Sequence, residues 1–463
     1  MDAFLSDIYV DVFRKWIVGQ LQGREFEETE DAIRIPMEYC IGEITFNVFN
    51  IIELRVESKV KDDIIYYLHF QMQNLAHATG LFREMMDALD AVTLEPQIKA
   101  LFCCSGGLTT GFFAQKINET MEILGESIEV TAVGYGILYQ VASDYDLIYL
   151  APQISYEEGK VQQYLPDKVV GTIPAQVFAK YDVKSMVQLI TGDVKKVGRT
   201  KGESYDINVK NTLTHPVLCI SVYQNNGRNH IDYRIYNPDL SVVDEDTIIK
   251  NTISVRDIEV LIKTEKFMHE DIAKIAVSLP GIVDDGSLYS SFVEGACERL
   301  DDKLAKISGC DVILLNDVNS ATLGYMAMDD RYTDFAFLFQ PVNLDAGLGT
   351  VANGRLVTGK YHMAGEVKFL PLSYSAPKLE LSGTPEGAHE LVYKMMMTIV
   401  AINSPQAIVL CGDLVGDTDD YRRELREALT GHIDYDINIL KVRNFEECVL
   451  LGLMNACLDR EDK

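Results

Sequence analysis

The stretch IKALFCCSGGLTTGFFAQKIN, Ile98 to Asn118, decides how the middle of this chain folds. It reads as a short apolar strand, a loop of small residues and an amphipathic helix. Cys104 opens the loop, and Thr109, Thr110 and Gly111 stand where the helix begins. A thiol placed there faces unpaired backbone N–H groups and the positive end of the helix dipole. Both favour thiolate, so Cys104 is expected to be more acidic than a free cysteine at about 8.5. The same N–H groups would cradle a phosphoryl group. The plainer alternative is two core cysteines ending a strand. Gly106-Gly107 and Thr109-Thr110 favour a cysteine that carries phosphate, with Cys103 as core. A cysteine phosphatase would need an Arg six residues past its nucleophile to clamp phosphate bidentately. Counted from Cys103 or Cys104, that residue is Thr109 or Thr110.

Beyond the loop, helical stripes alternate with strands at IEVTAVGYG, in YDLIYLAPQISY, which ends in a polar loop, and in DKVVGTIPAQVFAKYD; a short helix lies around Leu138 to Ala142, and VKSMVQLI adds a last helix. Strands apolar on both faces, separated by helices, imply a parallel sheet covered on both sides. Ligands of such sheets sit at the carboxyl ends of the strands. Cys104 lies at one such end, and Ala151-Pro152-Gln153-Ile154-Ser155-Tyr156 at another. These two loops resemble those of enzyme IIB domains of the lactose/cellobiose class, from the bacterial phosphoenolpyruvate-dependent sugar phosphotransferase system. The second loop of that family usually reads G-P-Q-x-x-Y. The resemblance implies that Cys104 accepts phosphate from a phosphohistidine on a IIA protein. Backbone N–H groups of Ser105, Gly106, Gly107, Leu108, Thr109 and Thr110, with the two threonine hydroxyls, would hold the oxygens.

The chain has 463 residues, which points to two or three domains. A net charge of −28 argues against binding a nucleic-acid backbone. Nine cysteines without a C-x-x-C pair, no signal-peptide pattern and no long apolar run give the expectation of a reduced, cytoplasmic protein. Residues 1–95 read as a small α+β interaction or dimerisation module. Leu5, Ile8, Val12, Ile17 and Leu21 are spaced for a helix. Ile44, Phe46, Val48, Ile52, Leu54 and Val56 alternate as one strand, IIYYLHFQM is a second, and Asn74 is placed to cap a helix. His69 and His77 read as surface or partner-facing histidines.

Residues 191–215 are polar and suit a boundary or an exposed loop. From His215 onward the order of motifs resembles the ROK (repressor, open reading frame, kinase) family, of actin/hexokinase-like fold. Ser278-Leu-Pro-Gly-Ile-Val-Asp284 is similar to its G-x-P-G-x-V-D, and Asn316-Asp-Val-Asn-Ser-Ala321 to its N-D-x-N-x-A. Asn353-Gly-Arg-Leu356 is similar to its N-G-x-L hairpin, and Ala364-Gly-Glu-Val367 to its A-G-E-I. The resemblance makes Asp317 the candidate general base toward a sugar hydroxyl, with Asn316, Asp317 and Glu366 gripping the sugar. The chain departs from the pattern at several places. Ser221-Val-Tyr-Gln-Asn-Asn-Gly replaces the phosphate turn D-x-G-G-T, and Asp345-Ala-Gly-Leu-Gly-Thr is a shortened second glycine turn. Phe369 replaces the histidine of G-E-x-x-H, and residues 368–390 lack the zinc-binding cysteines.

The resulting expectation is an α/β protein in three parts. These are the module 1–95, a parallel-sheet IIB-like domain 96–195 and a two-lobed actin/hexokinase-like ROK domain 215–463. Cys104 takes phosphate from a phosphorylated IIA protein, and a degenerate ROK cleft binds a sugar or sugar phosphate as a sensor. The alternatives are an active ROK sugar kinase, which alone would need Mg-ATP, and a non-enzymatic sugar-responsive transcriptional regulator. No metal and no other cofactor are expected. The partners considered are a membrane sugar permease, a regulator and a second copy of the chain, with no direct contact to nucleic acid.

Overall fold

The computed structural model of the protein describes residues 3–59, 63–93, 98–106, 108–124, 128–165, 168–194, 205, 207–209, 212–225, 228–341, 345–412, 414–432 and 436–458. Helix α1 (Ala3–Gln20) leads into Leu21, and Phe13, Ile17 and Leu21, four apart, are buried. Ile8 and Val12, placed by the sequence on the same stripe, stay exposed. Strands β1 (Glu27–Glu28), β2 (Ala32–Pro36), β3 (Cys40–Phe46), β4 (Ile51–Ser58) and β5 (Ile64–Gln71) form an antiparallel meander. The single strand expected across residues 44–56 is therefore two. Phe49 and Asn50 take φ of 59° and 61°, a left-handed backbone that cannot continue a pleat. Ile44, Ile52, Leu54 and Val56 still reach one core. Helix α2 (Leu75–Ala91) is capped as expected. The Asn74 side chain accepts from the N–H groups of Ala76 at 2.8 Å and His77 at 3.3 Å.

The next segment is a doubly wound unit. Its strands β6 (Ile98–Cys104), β7 (Ile128–Gly134), β8 (Leu147–Leu150) and β9 (Val169–Thr172) lie in the order β7-β6-β8-β9, all parallel. Helices α3 (Leu108–Leu124), α6 (Ala175–Lys180) and α7 (Val183–Val194) cover one face, with Phe113, Ile117, Phe178 and Met186 inside. Helices α4 (Leu138–Val141) and α5 (Glu158–Tyr164) cover the other, with Leu138 and Val161 inside.

The last segment holds two sheets of one design. The first uses β10 (Val217–Asn225), β11 (Arg228–Tyr236), β12 (Val242–Lys250), β13 (Lys274–Leu279) and β16 (Asp311–Asn316), ordered β12-β11-β10-β13-β16. Helices α8 (Val255–Met268) and α9 (Leu300–Ser308) and the hairpin β14 (Ile282–Asp284)–β15 (Ser287–Tyr289) flank it. The second uses β17 (Phe335–Phe339), β18 (Gly347–Ala352), β19 (Arg355–Leu356), β20 (Ala407–Cys411) and β21 (Asn438–Lys441), ordered β19-β18-β17-β20-β21. In both, an antiparallel meander is followed by two parallel strands. This repeat is the two-lobed architecture expected from the sequence. Helix α10 (Asp317–Met328) crosses α14 (Phe445–Cys457) between the sheets. They touch backbone to backbone: a Cβ on Gly324 would overlap the Cys448 carbonyl oxygen, and one on Gly452 the Ser320 carbonyl oxygen. Helices α11 (Lys378–Leu381), α12 (Pro385–Asn403) and α13 (Thr418–Leu429) complete the second lobe.

Strand β5 pairs antiparallel with β12, so the N-terminal meander and the first lobe share one ten-stranded sheet. They also share one core, in which Phe13, Leu54 and Phe82 meet Leu218, Ile262 and Leu304. Lys250, 4% exposed, binds Glu84 of α2 at 2.8 Å and Asp257 of α8 at 2.5 Å. Arg228 grips Asp63 with both guanidinium nitrogens at 3.0 and 2.9 Å. His69 is buried against Glu265 rather than lying at the surface. The doubly wound unit is thus inserted between α2 and β10. It also touches the second lobe. A Cβ on Gly383 would overlap Gln140 of α4, and one on Gly416 would lie 2.6 Å from the Tyr164 hydroxyl of α5.

Candidate functional site

Cys104 ends β6, and α3 starts at Leu108. Strand order reverses between β6 and β8, the place where open α/β sheets bind ligands. Ala151 follows β8 and donates its N–H to the Cys103 carbonyl at 2.7 Å, which draws the Pro152–Glu157 turn beside the cysteine. Thr110, fully buried, donates its hydroxyl to Cys104 Sγ at 3.2 Å. An anionic sulfur, or an oxygen of a phosphoryl group on it, would accept that donor strongly. Thr109, Ser105 and Gly106 are exposed around the loop. Gly107 lies outside the described residues. Burial pushes the Cys103 thiol up to about 12, so the neighbouring cysteine stays protonated and inert.

A second constellation lies between the two lobes. Asn316 caps α10, its Oδ1 accepting from the N–H groups of Val318 at 3.0 Å and Asn319 at 3.2 Å. Its amide donates to the Gly281 carbonyl at 2.9 Å. Gly281 has φ 125°, and a Cβ there would sit 2.6 Å from the Tyr289 carbonyl oxygen, so the Pro280-Gly281 turn requires glycine. Burial pushes the Asp317 carboxyl up to about 6, and the negative charge of Glu366 adds to this. Backbone N–H donors and Asn316 pull the other way. Glu366 pairs with Lys368 at 3.0 Å. The loop after β19 reaches across to β14, where His362 Nδ1 meets Asp284 Oδ1 at 2.9 Å. Ser278 Oγ is fully buried and has no hydrogen-bond partner among the described residues. It shares a strand face with Ala276, which points into the core between the lobes. A cavity of about 310 Å³ runs from Val367 and Lys368 to Lys378 and Ser382, the residue before the Gly383 contact with the inserted unit.

Residues 99–216 match the model of the "PTS system, Lactose/Cellobiose specific IIB subunit", and residues 226–379 that of the "ROK family". The chain carries a lactose/cellobiose-type IIB domain and a ROK domain. Within the IIB match, it is 36% identical over 76 residues to the lactose-specific EIICB component of the phosphotransferase system of Staphylococcus aureus, covering 16% of this chain and 13% of that protein. The chain therefore spans only a small part of the curated relatives it matches. Solved structures with a similar course include a ROK hexokinase from Thermus thermophilus, at 17% identity and TM-score 0.42, covering 51% of this chain and 96% of that one. A ROK family glucokinase from Streptomyces griseus, solved with glucose and AMPPNP, has 14% identity and TM-score 0.42 over 52% of this chain and 98% of its own.

The ROK domain's glycine turns are put to structural use. Strands β10 and β11 stay paired as far as Asn225 and Arg228, with Ser221 opposite Asp232. The place expected for a phosphate turn is regular strand, and Arg228 ties its end to Asp63. The remaining turn residues, Asn226 and Gly227, lie outside the described residues. A Cβ on Gly347 would overlap Val318, and one on Gly349 would overlap Thr322, so these glycines let β18 pack on α10. Phe369 is exposed where the family histidine would stand. Sequence reading named Thr110, Asp317 and Glu366 but missed Ser278. Its only signal was a serine in place of the first glycine of G-x-P-G.

Proposed function

We propose that this protein is a phosphotransferase-system component that takes phosphate onto Cys104 and carries it beside a sugar-binding, nucleotide-independent ROK domain. The Thr110 hydroxyl aimed at Cys104 Sγ, at the switch point of a IIB sheet, carries the first half of this reading. The thiolate attacks the phosphorus of a phosphohistidine on a IIA-type donor. The S–P bond forms as the N–P bond breaks, and the imidazole leaves. For the second half, the cleft keeps the half-buried Asp317 carboxyl and Glu366, groups suited to polyol recognition. The paired hairpin at Ser221–Asn225 speaks against a nucleotide-gripping turn. The α4/α5 contact with the second lobe offers a route by which phosphate on Cys104 biases the cleft. A membrane sugar permease is the further partner if the phosphate moves on to sugar.

The protein is incubated with phosphoenolpyruvate, the general phosphotransferase proteins and a IIA of lactose or cellobiose type, then weighed intact. One phosphoryl adduct, lost in Cys104→Ser, is expected. No adduct with either IIA sinks the reading. Calorimetry with Mg-ATP in the presence of hexoses separates the kinase: tight binding that needs Asp317 would establish it and overturn the sensor assignment.

A further inference from the structure

The joint between the N-terminal meander and the ROK domain contains a cluster that neither the IIB nor the ROK reading uses. Asp244 lies on β12, Glu265 on the last turn of α8, and His269 caps that helix one turn later. One ligand atom from each falls within 4.8 Å of the others. His269 Nε2 stands 3.6 Å from Asp244 Oδ2. Around a divalent ion with bonds of 2.0–2.2 Å, tetrahedral ligand atoms are separated by about 3.4 Å, so small rotamer changes close the site. Glu265 is 2% exposed, and His69 Nε2 lies 3.0 Å from its Oε1. The Tyr233 hydroxyl reaches Asp244 Oδ2 at 3.5 Å and holds that carboxylate in place. Asp246 lies two residues along the same strand face and approaches His69 Nδ1 at 3.7 Å. The carbonyl end of α8 points at the same spot, and its dipole favours a cation there. Asp244 and His269 are partly exposed, so an ion has a way in.

We propose that Asp244, Glu265 and His269 bind one divalent transition-metal ion of zinc type. One imidazole and two carboxylates match the preferences of zinc, cobalt and manganese, with solvent completing the coordination. His69, on β5, acts on the metal through Glu265 by orienting its carboxylate. The ion clips α8 to β12 beside the strand pairing that joins the N-terminal meander to the ROK domain. It is separate from the cysteine-rich loop whose absence the sequence shows.

The test uses the full chain, stripped with chelator and titrated with cobalt, then with zinc. One equivalent of cobalt should give visible d–d bands without a thiolate charge-transfer band, and zinc should displace it. His269→Ala, at a partly exposed helix cap, should keep the circular dichroism of the wild type and bind at least about tenfold more weakly. At the same metal concentration, metal should raise the thermal midpoint of the wild type clearly more than that of His269→Ala. Absence of stoichiometric cobalt binding overturns the proposal. So does binding that shows thiolate charge transfer, or that survives in both His269→Ala and Asp244→Asn.

Discussion

At Cys104 the Thr110 hydroxyl donates to Sγ at 3.2 Å. Thr110→Val keeps the shape and removes the donor to Sγ. A hydrogen bond to a charged group is worth about 1.5–3 kcal/mol, so phosphorylation by a IIA donor should slow by about tenfold to a hundredfold. Rapid-quench labelling of folded protein measures this. Asp317 carries a pH signature. Its folded value, about 6, exceeds the ordinary aspartate value of 3.8, so ionising it opposes folding. This loss is absent below pH 3.8, grows as pH rises toward 6, and persists above. Asp317→Asn should therefore gain stability over wild type above pH 6 and lose that gain toward pH 4, as read by denaturant midpoints. If the ionised carboxylate grips a sugar hydroxyl, wild-type affinity should fall on acidification through the same range, and that of the variant should stay flat. Both residues were legible in the sequence because loop and motif spacing are local. The core placement of Cys103 was legible beside them, but the orphan state of Ser278 was not, since it depends on what covers that hydroxyl.

Among elements, the crossing of α10 and α14 has the least tolerance. Gly452→Ala places a methyl against the Ser320 carbonyl in a contact between two helix backbones. Overpacking of this kind costs about 1–3 kcal/mol or more, and the loss should appear in the urea midpoint with m unchanged. Lys250 joins α2 to α8 through Glu84 and Asp257. Lys250→Met strands the poorly exposed Asp257 carboxylate and should cost about 3–5 kcal/mol. Helix caps and strand alternation made these elements readable one by one. The break at Phe49-Asn50 was hidden, because the apolar alternation continues across it while the backbone turns.

For the molecule as a whole, the inserted IIB domain has its own two-sided core, while the N-terminal meander has none apart from the first lobe. Replacing residues 96–195 with a flexible Gly/Ser linker should leave a soluble, cooperatively unfolding protein, and 96–195 alone should still accept phosphate. Removing 1–95 instead uncovers the β12 edge and the shared core, and the remainder should aggregate on size exclusion. Composition, loop chemistry and motif order by themselves determined the two domain types, the parallel sheet and the place of Cys104 at a strand end. Each of those rests on residues close in the chain or in a set order. Only the tertiary structure decided that the first segment belongs to the sheet of the last, that His69 meets Glu265, and that α4 and α5 face the second lobe. Those pairings join residues far apart in the chain, and burial and edge-strand geometry select them rather than any local pattern.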